Sequence, residues 1–289
     1  MDRHTRGVLL IFLSCVAYSS AGFFTRLIQL DPWTMLFWRG LFAGLMILCI
    51  IIAQERRNTV VAVKAIGWPG LAAALCSTTA TIFYLNALHR TSVADVAVFF
   101  AAAPFVTAGL GWLWFGTREA WSTLVASFVA LFGIVIMVSG AAGEGHLLGD
   151  FLAFGMTTCM AIMVLIIRRH HAISMLPAAC LSALICPLIV WPFATPFAIG
   201  SGDLVYLFLF GTAQFGLGLV LFTMGGRWVS ATENALITTV ETPMAVAWVW
   251  VCFAEVPPGS SIIGGLVVMA AVAAHIWHSN RRAVAMAAA

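Results

Sequence analysis

Long apolar stretches separated by brief polar breaks recur along the whole chain. Each is about as long as the roughly 20 apolar residues that a helix needs to cross about 30 Å of hydrocarbon. The runs are continuous and do not alternate with polar residues, which favours helices over the strands of a membrane barrel. The pattern predicts an all-α integral membrane protein whose ten transmembrane helices lie at residues 7–27, 32–53, 66–88, 95–115, 120–139, 149–168, 175–195, 203–225, 233–253 and 260–279.

The seventh predicted helix is the weakest of the ten, because prolines interrupt the stretch "CPLIVWPFATP". Proline removes a backbone donor and bends a helix, so nine helices remain an alternative. Composition supports the membrane assignment: 62% of the residues are hydrophobic and 9% are charged. A soluble domain has about 25% charged residues, so an ordinary water-soluble fold is excluded.

The basic residues predict the orientation of the chain in the membrane. In the ten-helix scheme, eleven of them lie on the side of the N-terminus, Arg26 and Arg90 lie on the other side, and Arg39 lies inside a span. Because basic loops resist translocation, both termini are expected in the cytoplasm. The net charge of +3 therefore reports topology and not nucleic-acid binding. The eleven residues are Arg3, Arg6, Arg56, Arg57, Lys64, Arg118, Arg168, Arg169, Arg227, Arg281 and Arg282.

A short pattern recurs about half a chain apart. "AAAPFVTAGLGWLWF" at 101–115 and "VETPMAVAWVWVCF" at 240–253 share a proline near mid-span, then small residues, then aromatic residues before a polar loop. The chain thus divides into five-helix repeats at 1–143 and 144–289. Since five is an odd number, the second repeat enters the membrane with opposite polarity, as in many secondary transporters.

The sequence predicts neither a cofactor nor a metal site. The seven cysteines lie mostly within predicted spans, and no CxxC or HExxH spacing or nucleotide-binding loop occurs. No nucleophile has a plausible histidine base, so catalytic residues are not expected and an intramembrane enzyme is a remote alternative. The expected partners are the lipid bilayer and a small-molecule substrate, without nucleic acid or an obligate protein partner.

Several stretches together resemble the drug/metabolite transporter superfamily, specifically its EamA-type ten-helix members. They are "LFWRGLFAGLMIL", "YLNALHRTSVADVAVFFAAAPFVTAGLGWLWFGTRE" and "ENALITTVETPMAVAWVWVCFAE". Within that superfamily the chain is most similar to bacterial inner-membrane exporters of aromatic and other hydrophobic amino acids. It departs from an exact repeat, because Ala102 stands where the second half has Glu241.

Glu241 lies next to a proline inside an otherwise apolar span. A charge at the bilayer centre costs about 2.5 to 3.5 kcal/mol on insertion scales, so it is expected to face the bundle interior or a hydrated cavity. Because burial disfavours the ionised form, Glu241 is also a candidate to bind a proton near neutral pH. The alternative role is a structural hydrogen bond between the repeats. Helical spacing places it on one stripe with Asn234, Thr238, Ala245 and Trp248.

Arg39 is a second charge inside a predicted span, about 10 Å from its start at 1.5 Å per residue. A guanidinium binds a substrate carboxylate in bidentate fashion. The alternative is a structural partner for helix-end carbonyls or for Asp31. The GxxxG spacing of Gly40 and Gly44 favours close helix packing at this point.

The third and eighth predicted helices supply further polar groups near mid-membrane. Ser77, Thr78, Thr81 and Tyr84 form a hydroxyl-bearing wall, and Gln214 is an amide that is costly to bury without a partner. Such groups beside apolar walls suit a small zwitterion with an apolar side chain. Residues that either line the pocket or only pack are Met156, Met160, Met163, Phe99, Phe100 and Phe222.

The predicted mechanism is alternating access, with Pro104 and Pro243 weakening their helices as gates; static kinks are the alternative for both prolines. Facilitated efflux is favoured over proton exchange, because Glu241 is the one buried carboxylate available for coupling. The alternative function is proton-coupled efflux of drugs, organic cations or other metabolites.

Overall fold

The computed structural model describes residues 3–28, 30–55, 65–88, 90, 93–116, 119–139, 147–170, 175–197, 199–254 and 259–287. Within these ranges all regular structure is helical and no strand occurs, which confirms the all-α prediction. Four of the basic residues used to orient the chain, Arg56, Arg57, Lys64 and Arg118, lie outside the described residues.

The described residues form fourteen α-helices. They also include a 3-10 turn at Trp191–Phe193 and a π-helical segment at Phe210–Gly216. The helices are α1 (Arg3–Ser19), α2 (Ala21–Leu27), α3 (Pro32–Glu55), α4 (Gly67–Leu88), α5 (Val93–Ala101), α6 (Ala103–Phe115), α7 (Trp121–Val138), α8 (Leu147–Arg169), α9 (Leu176–Val190), α10 (Ser201–Leu209), α11 (Leu217–Gly225), α12 (Ala231–Thr238), α13 (Glu241–Phe253) and α14 (Gly259–Ala287).

Seven of the described helical segments are long and apolar enough to cross a membrane. The other three predicted spans correspond to α4 and to the shorter apolar segments Ala103–Phe115 and Trp121–Met137. Large apolar side chains such as Leu113, Val251 and Leu266 are exposed on the outer faces of the helices. A multi-pass membrane protein is confirmed, whereas the number ten stays a prediction.

Two predicted spans are broken beside the prolines that the sequence singled out. The fourth span divides into α5 and α6 at Ala102, and the ninth divides into α12 and α13 at Thr239 and Val240. Pro104 and Pro243 lie in the first turns of α6 and α13. Proline is tolerated there because the first N–H groups of a helix have no intrahelical acceptor.

Helices from the N-terminal and C-terminal parts of the chain pack against each other in pairs, and α3 and α9 form an antiparallel pair. Gly40 of α3 contacts Pro187 of α9, whereas Gly44, one turn later, contacts Leu184, earlier in α9. This is the close packing that the GxxxG spacing predicted, and the Cys180 thiol donates to the Gly44 carbonyl at 3.5 Å. In the same way α7 packs against α14, and α6 against α12. Two further extensive pairs are α4 with α8 and α1 with α11.

The bundle has two distinguishable ends. We call the end where α1 begins the terminus end, and the other the opposite end; α11 finishes and α12 starts at the terminus end, where Gly7 meets Gly225. All residues from Ala231 to Val240 are buried there. The terminus end is therefore closed by packed helices, with α12 at its centre.

Candidate functional site

A cavity of about 290 Å³ lies inside the bundle. Its wall comes from α1 to α5, α8, the π-helical segment, α11 and α13, and most of it lies between the middle of the helices and the opposite end. Five of the predicted site residues line this one cavity, and these are Arg39, Thr81, Tyr84, Gln214 and Glu241.

Three predicted site residues lie outside the cavity wall. The Thr78 hydroxyl donates to the Ala74 carbonyl of its own helix at 3.0 Å and lies 3.2 Å from the Ser182 carbonyl of α9. The Thr238 hydroxyl donates to Ala235 at 2.8 Å. The Trp248 ring N–H donates to Ser19 Oγ at 3.0 Å. The predicted stripe assumed one continuous helix, and the break after Thr238 interrupts its periodicity.

Glu241 is the first residue of α13 and lines the cavity. The helix break places it there, because α12 ends at Thr238, three residues before it. A carboxylate in the first turn is favoured by the positive end of the helix dipole. Glu241 forms no hydrogen bond or ion pair within the described part of the chain. Its carboxyl group is therefore available to a molecule in the cavity.

Arg39 lines the same cavity from α3. The carbon of its guanidinium lies 4.4 Å from the ring centre of Phe215 and 5.3 Å from that of Phe210, so two aromatic faces hold the cation. Its Nε is buried without a hydrogen-bond partner among the described residues.

Asp31, the alternative structural partner of Arg39, forms its hydrogen bonds with other groups. It accepts the backbone N–H groups of Trp33 and Thr34, each at 3.0 Å, and the Thr195 hydroxyl at 3.4 Å. Partial burial acts against ionisation of Asp31, but these hydrogen bonds outweigh it and lower the pKa of the carboxyl.

Gln214 combines deep burial with an unused acceptor. It is 3% exposed, and its Nε2 donates to the Tyr18 carbonyl at 3.1 Å. Its Oε1 has no hydrogen-bond partner among the described residues. Gln214 lies in the π-helical segment, and such segments often occur at functional sites. Gly211 allows this segment to approach α3 closely, since an added Cβ would lie 2.6 Å from Phe42 Cβ.

The rest of the wall is mainly apolar, with a few further polar groups. Tyr18 was not identified from the sequence, because a tyrosine in the first apolar run resembles an ordinary core residue. Tyr18, Ser77 and Thr242 each contribute a hydroxyl-bearing side chain to the cavity wall. The apolar side chains include Phe100, Met156, Met160, Met163, Phe215 and Phe222.

The sequence-based count of one buried carboxylate is wrong, because Glu233 of α12 is also buried, with 6% exposure. Its Oε2 accepts a hydrogen bond from His4 Nε2 at 3.0 Å, and its Oε1 lies 3.5 Å from His275 Nε2. The available signal was the spacing of Ser230 and Glu233, which is typical of a capping box. Ser230 Oγ accepts the Glu233 backbone N–H at 3.1 Å.

The apolar outer faces, the helical spans and the enclosed polar groups together define a multi-pass membrane protein with an internal binding cavity. A search against protein families matches the chain to the EamA-like transporter family over residues 5–139 and 147–276. The protein belongs to the EamA-like transporter family, whose members move small molecules across membranes. The expected resemblance to the drug/metabolite transporter superfamily is confirmed, whereas the aromatic amino acid exporter subtype stays a prediction.

The fold also occurs among solved structures. One, titled "Crystal structure of protein", superposes with a TM-score of 0.80 at 16% sequence identity, covering 96% of this chain and 99% of that chain. At this identity the likeness shows the fold alone. No curated protein sequence matches the chain.

Proposed function

We propose that this protein is a secondary transporter that moves small amino acids, preferentially aromatic or hydrophobic ones, out of the cell by alternating access. The observation that carries the proposal is the pair Arg39 and Glu241. They carry opposite charges and line one cavity without forming an ion pair with each other or with any other described residue. The proposed location is the bacterial inner membrane, with both termini in the cytoplasm.

The chemistry of the cavity suits a zwitterion. The Arg39 guanidinium binds the substrate carboxylate, and the Glu241 carboxylate and Gln214 Oε1 accept hydrogen bonds from the substrate ammonium. The apolar side chain then contacts the methionine and phenylalanine wall. Drug-sized ligands occupy pockets of roughly 300 to 1,000 Å³. The volume of about 290 Å³ lies just below that range, which favours an amino acid over a larger drug.

Alternating access is supported by the arrangement of the helices. Antiparallel packing of corresponding helices, such as α3 with α9, is what inverted five-helix repeats at 1–143 and 144–289 produce. Packed helices close the terminus end, whereas the cavity extends towards the opposite end. The breaks beside Pro104 and Pro243 give each half a short helix that is able to tilt as a gate.

Facilitated efflux is consistent with the two charges that line the cavity and requires no coupled proton. A cavity with one cation and one anion is neutral, and so is the zwitterion it accepts. Exchange against protons through Glu241 is the second candidate, and the observation in its favour is that this carboxyl group lines the cavity and forms no ion pair among the described residues. The drug and organic-cation alternative gives no role to Arg39.

Flux in proteoliposomes tests the proposal. We expect labelled phenylalanine, tryptophan and methionine to exchange across the membrane, and phenethylamine, which lacks the carboxylate, to exchange poorly. Arg39→Gln should remove this preference for the carboxylate. The matched control is Arg169→Gln, which removes an exposed arginine that lies outside the cavity wall and contacts Phe115. Transport of organic cations without amino acid flux would overturn the assignment.

A further inference from the structure

A second group of ionisable side chains lies at the terminus end, outside the cavity wall. His4 of α1, Glu233 of α12 and His275 of α14 join three helices that are far apart in the sequence. The Glu233 carboxylate lies between the two rings, 3.0 and 3.2 Å from His4 Nε2 and 3.5 Å from His275 Nε2. We call these three residues the clasp. Glu233 and His275 are each 6% exposed.

The surroundings of the clasp hold few other charges. Helices α6, α7 and α8 also pack against α12, yet none of their charged groups within the described residues contacts the Glu233 carboxylate. A further acid at this end is Glu119, before α7, which accepts the Ser230 hydroxyl at 3.5 Å. Among the described residues, His4 and His275 are therefore the basic groups that contact the Glu233 carboxylate.

Because the clasp is buried, its stability depends on the protonation state of the two histidine rings. A buried carboxylate is costly unless it is paired and hydrogen-bonded. With one imidazolium the clasp is neutral, whereas with two neutral rings it carries a buried negative charge. Imidazole is the side chain whose ordinary titration falls between about pH 5 and 8. The attraction that joins the three helices is therefore present when one ring carries a proton and is weakened when that proton is lost.

Helix α12 also carries side-chain polar atoms that have no hydrogen-bond partner in the closed arrangement. Thr232 Oγ1 and both side-chain polar atoms of Asn234 form no hydrogen bond among the described residues, although both residues are fully buried. A buried polar group without a hydrogen-bond partner is destabilising, because it has lost its hydration. Water supplies partners to these atoms when the terminus end opens. The burial of these groups therefore opposes closure of the terminus end. Closure requires favourable contacts elsewhere, such as those between the residues of the clasp.

We propose that His4, Glu233 and His275 form a proton-binding site that holds α12 in place and keeps the terminus end of the cavity closed. Loss of the bound proton releases α12 and opens that end. The site is distinct from Glu241 and acts on the closed end, whatever molecule occupies the cavity. It shares with the proposed function only the assumption that this end opens.

Hydrogen–deuterium exchange measured by mass spectrometry tests the clasp without a substrate. The full chain in lipid nanodiscs is compared at about pH 5 and about pH 8.5, at the two ends of the range in which imidazole ordinarily titrates. After correction for intrinsic exchange rates, amides of α12 should exchange about tenfold faster at the higher pH, which is the effect of losing about 1.4 kcal/mol. Amides of α8 near residues 160–169 serve as the internal reference at the same end.

Variants separate a proton site from a structural contact. Glu233→Gln has no charge to neutralise, so its α12 exchange should be the same at both pH values. The double variant His4→Gln with His275→Gln should exchange fast at both. Glu119→Gln is the matched control, because it keeps an acceptor for Ser230, and it should retain the wild-type pH step.

Equal corrected exchange at both pH values in the wild type would overturn the clasp. So would a pH step that persists in the double histidine variant. Unchanged exchange in α8 shows that each variant is folded. Amino acid flux is a separate measurement, so failure of the substrate assignment and failure of the clasp are told apart.

Discussion

At the scale of single residues, one cation and one anion line the cavity. Arg39 is fixed between two phenylalanine rings, and Glu241 by the start of α13. Neither charge neutralises the other through an ion pair among the described residues. A ligand that carries both charges completes two interactions at once, which is the physical basis for selecting zwitterions over singly charged molecules of similar size.

Glu241→Gln tests the ammonium half of this arrangement. The amide keeps the shape of the side chain but loses the charge, and a hydrogen bond to a charged group contributes about 1.5 to 3 kcal/mol. We expect the affinity for phenylalanine to fall about tenfold or more, while the weak affinity for N-acetylphenylalanine, which has no ammonium, stays unchanged. Competition in counterflow assays measures both. Equal losses for the two ligands would mean that Glu241 does not bind the ammonium.

The same variant separates the two coupling schemes. If protons exchange through Glu241, an imposed pH gradient accelerates wild-type flux, and the acceleration disappears in Glu241→Gln. For facilitated efflux we expect no acceleration in either protein. A gradient response that survives in the variant would assign proton coupling to another group, and the buried Glu233 would be the first to test.

At the scale of elements, the apolar pattern predicted the positions of the helices well, because membrane spans need long apolar runs. It predicted continuous spans at 95–115 and 233–253, whereas Pro104 and Pro243 pointed to weakened helices and the structure has breaks beside both. The stripe through Thr238 and Trp248 was drawn across one of those breaks, where helical periodicity no longer holds. Glu233 was overlooked because its burial depends on histidines near the two ends of the sequence. No local pattern contains such a contact.

Asp31 fixes the start of α3, and its replacement tests that role. Its carboxylate accepts the Trp33 and Thr34 N–H groups, so Asp31→Ala should lower the free energy of unfolding by about 0.5 to 2 kcal/mol. Because these bonds lower the pKa of Asp31, its contribution is present above the ordinary pKa near 4 and is lost as pH falls through the lowered value. Steric trapping in bicelles measures the change. Asp31→Asn, which keeps an acceptor, should lose less, and an equal loss would contradict the cap.

The contact between α7 and α14 offers a second test at this scale. A Cβ added at Gly264 would collide with the Gly133 carbonyl and with the backbone of Met137. Overpacking costs about 1 to 3 kcal/mol, so Gly264→Ala should lower stability by that amount. The matched control is Gly109→Ala in α6, where an added Cβ meets nothing within 4 Å. That control should be neutral or slightly stabilising, and a similar loss in both variants would argue against close packing of α7 on α14.

At the scale of the whole molecule, the proposed inversion of the two repeats predicts on which side of the membrane particular residues lie. The helices α3 and α9 occupy the second position in their respective halves, and they run antiparallel. Their final residues must therefore lie on opposite sides of the membrane. Gln54 near the end of α3 and Phe193 just after α9 are both exposed, so either position accepts a reporter.

Single cysteines at these two positions, in a chain without its native cysteines, test this predicted topology directly. In intact cells a membrane-impermeant maleimide should label Phe193→Cys, and should label Gln54→Cys only after the membrane is permeabilised. The basic residues predict this orientation because they accumulate at the terminus end. The reverse labelling would keep the inversion but place the termini outside. Labelling of both cysteines from one side would contradict inverted repeats, and with them alternating access by exchange of two equivalent halves.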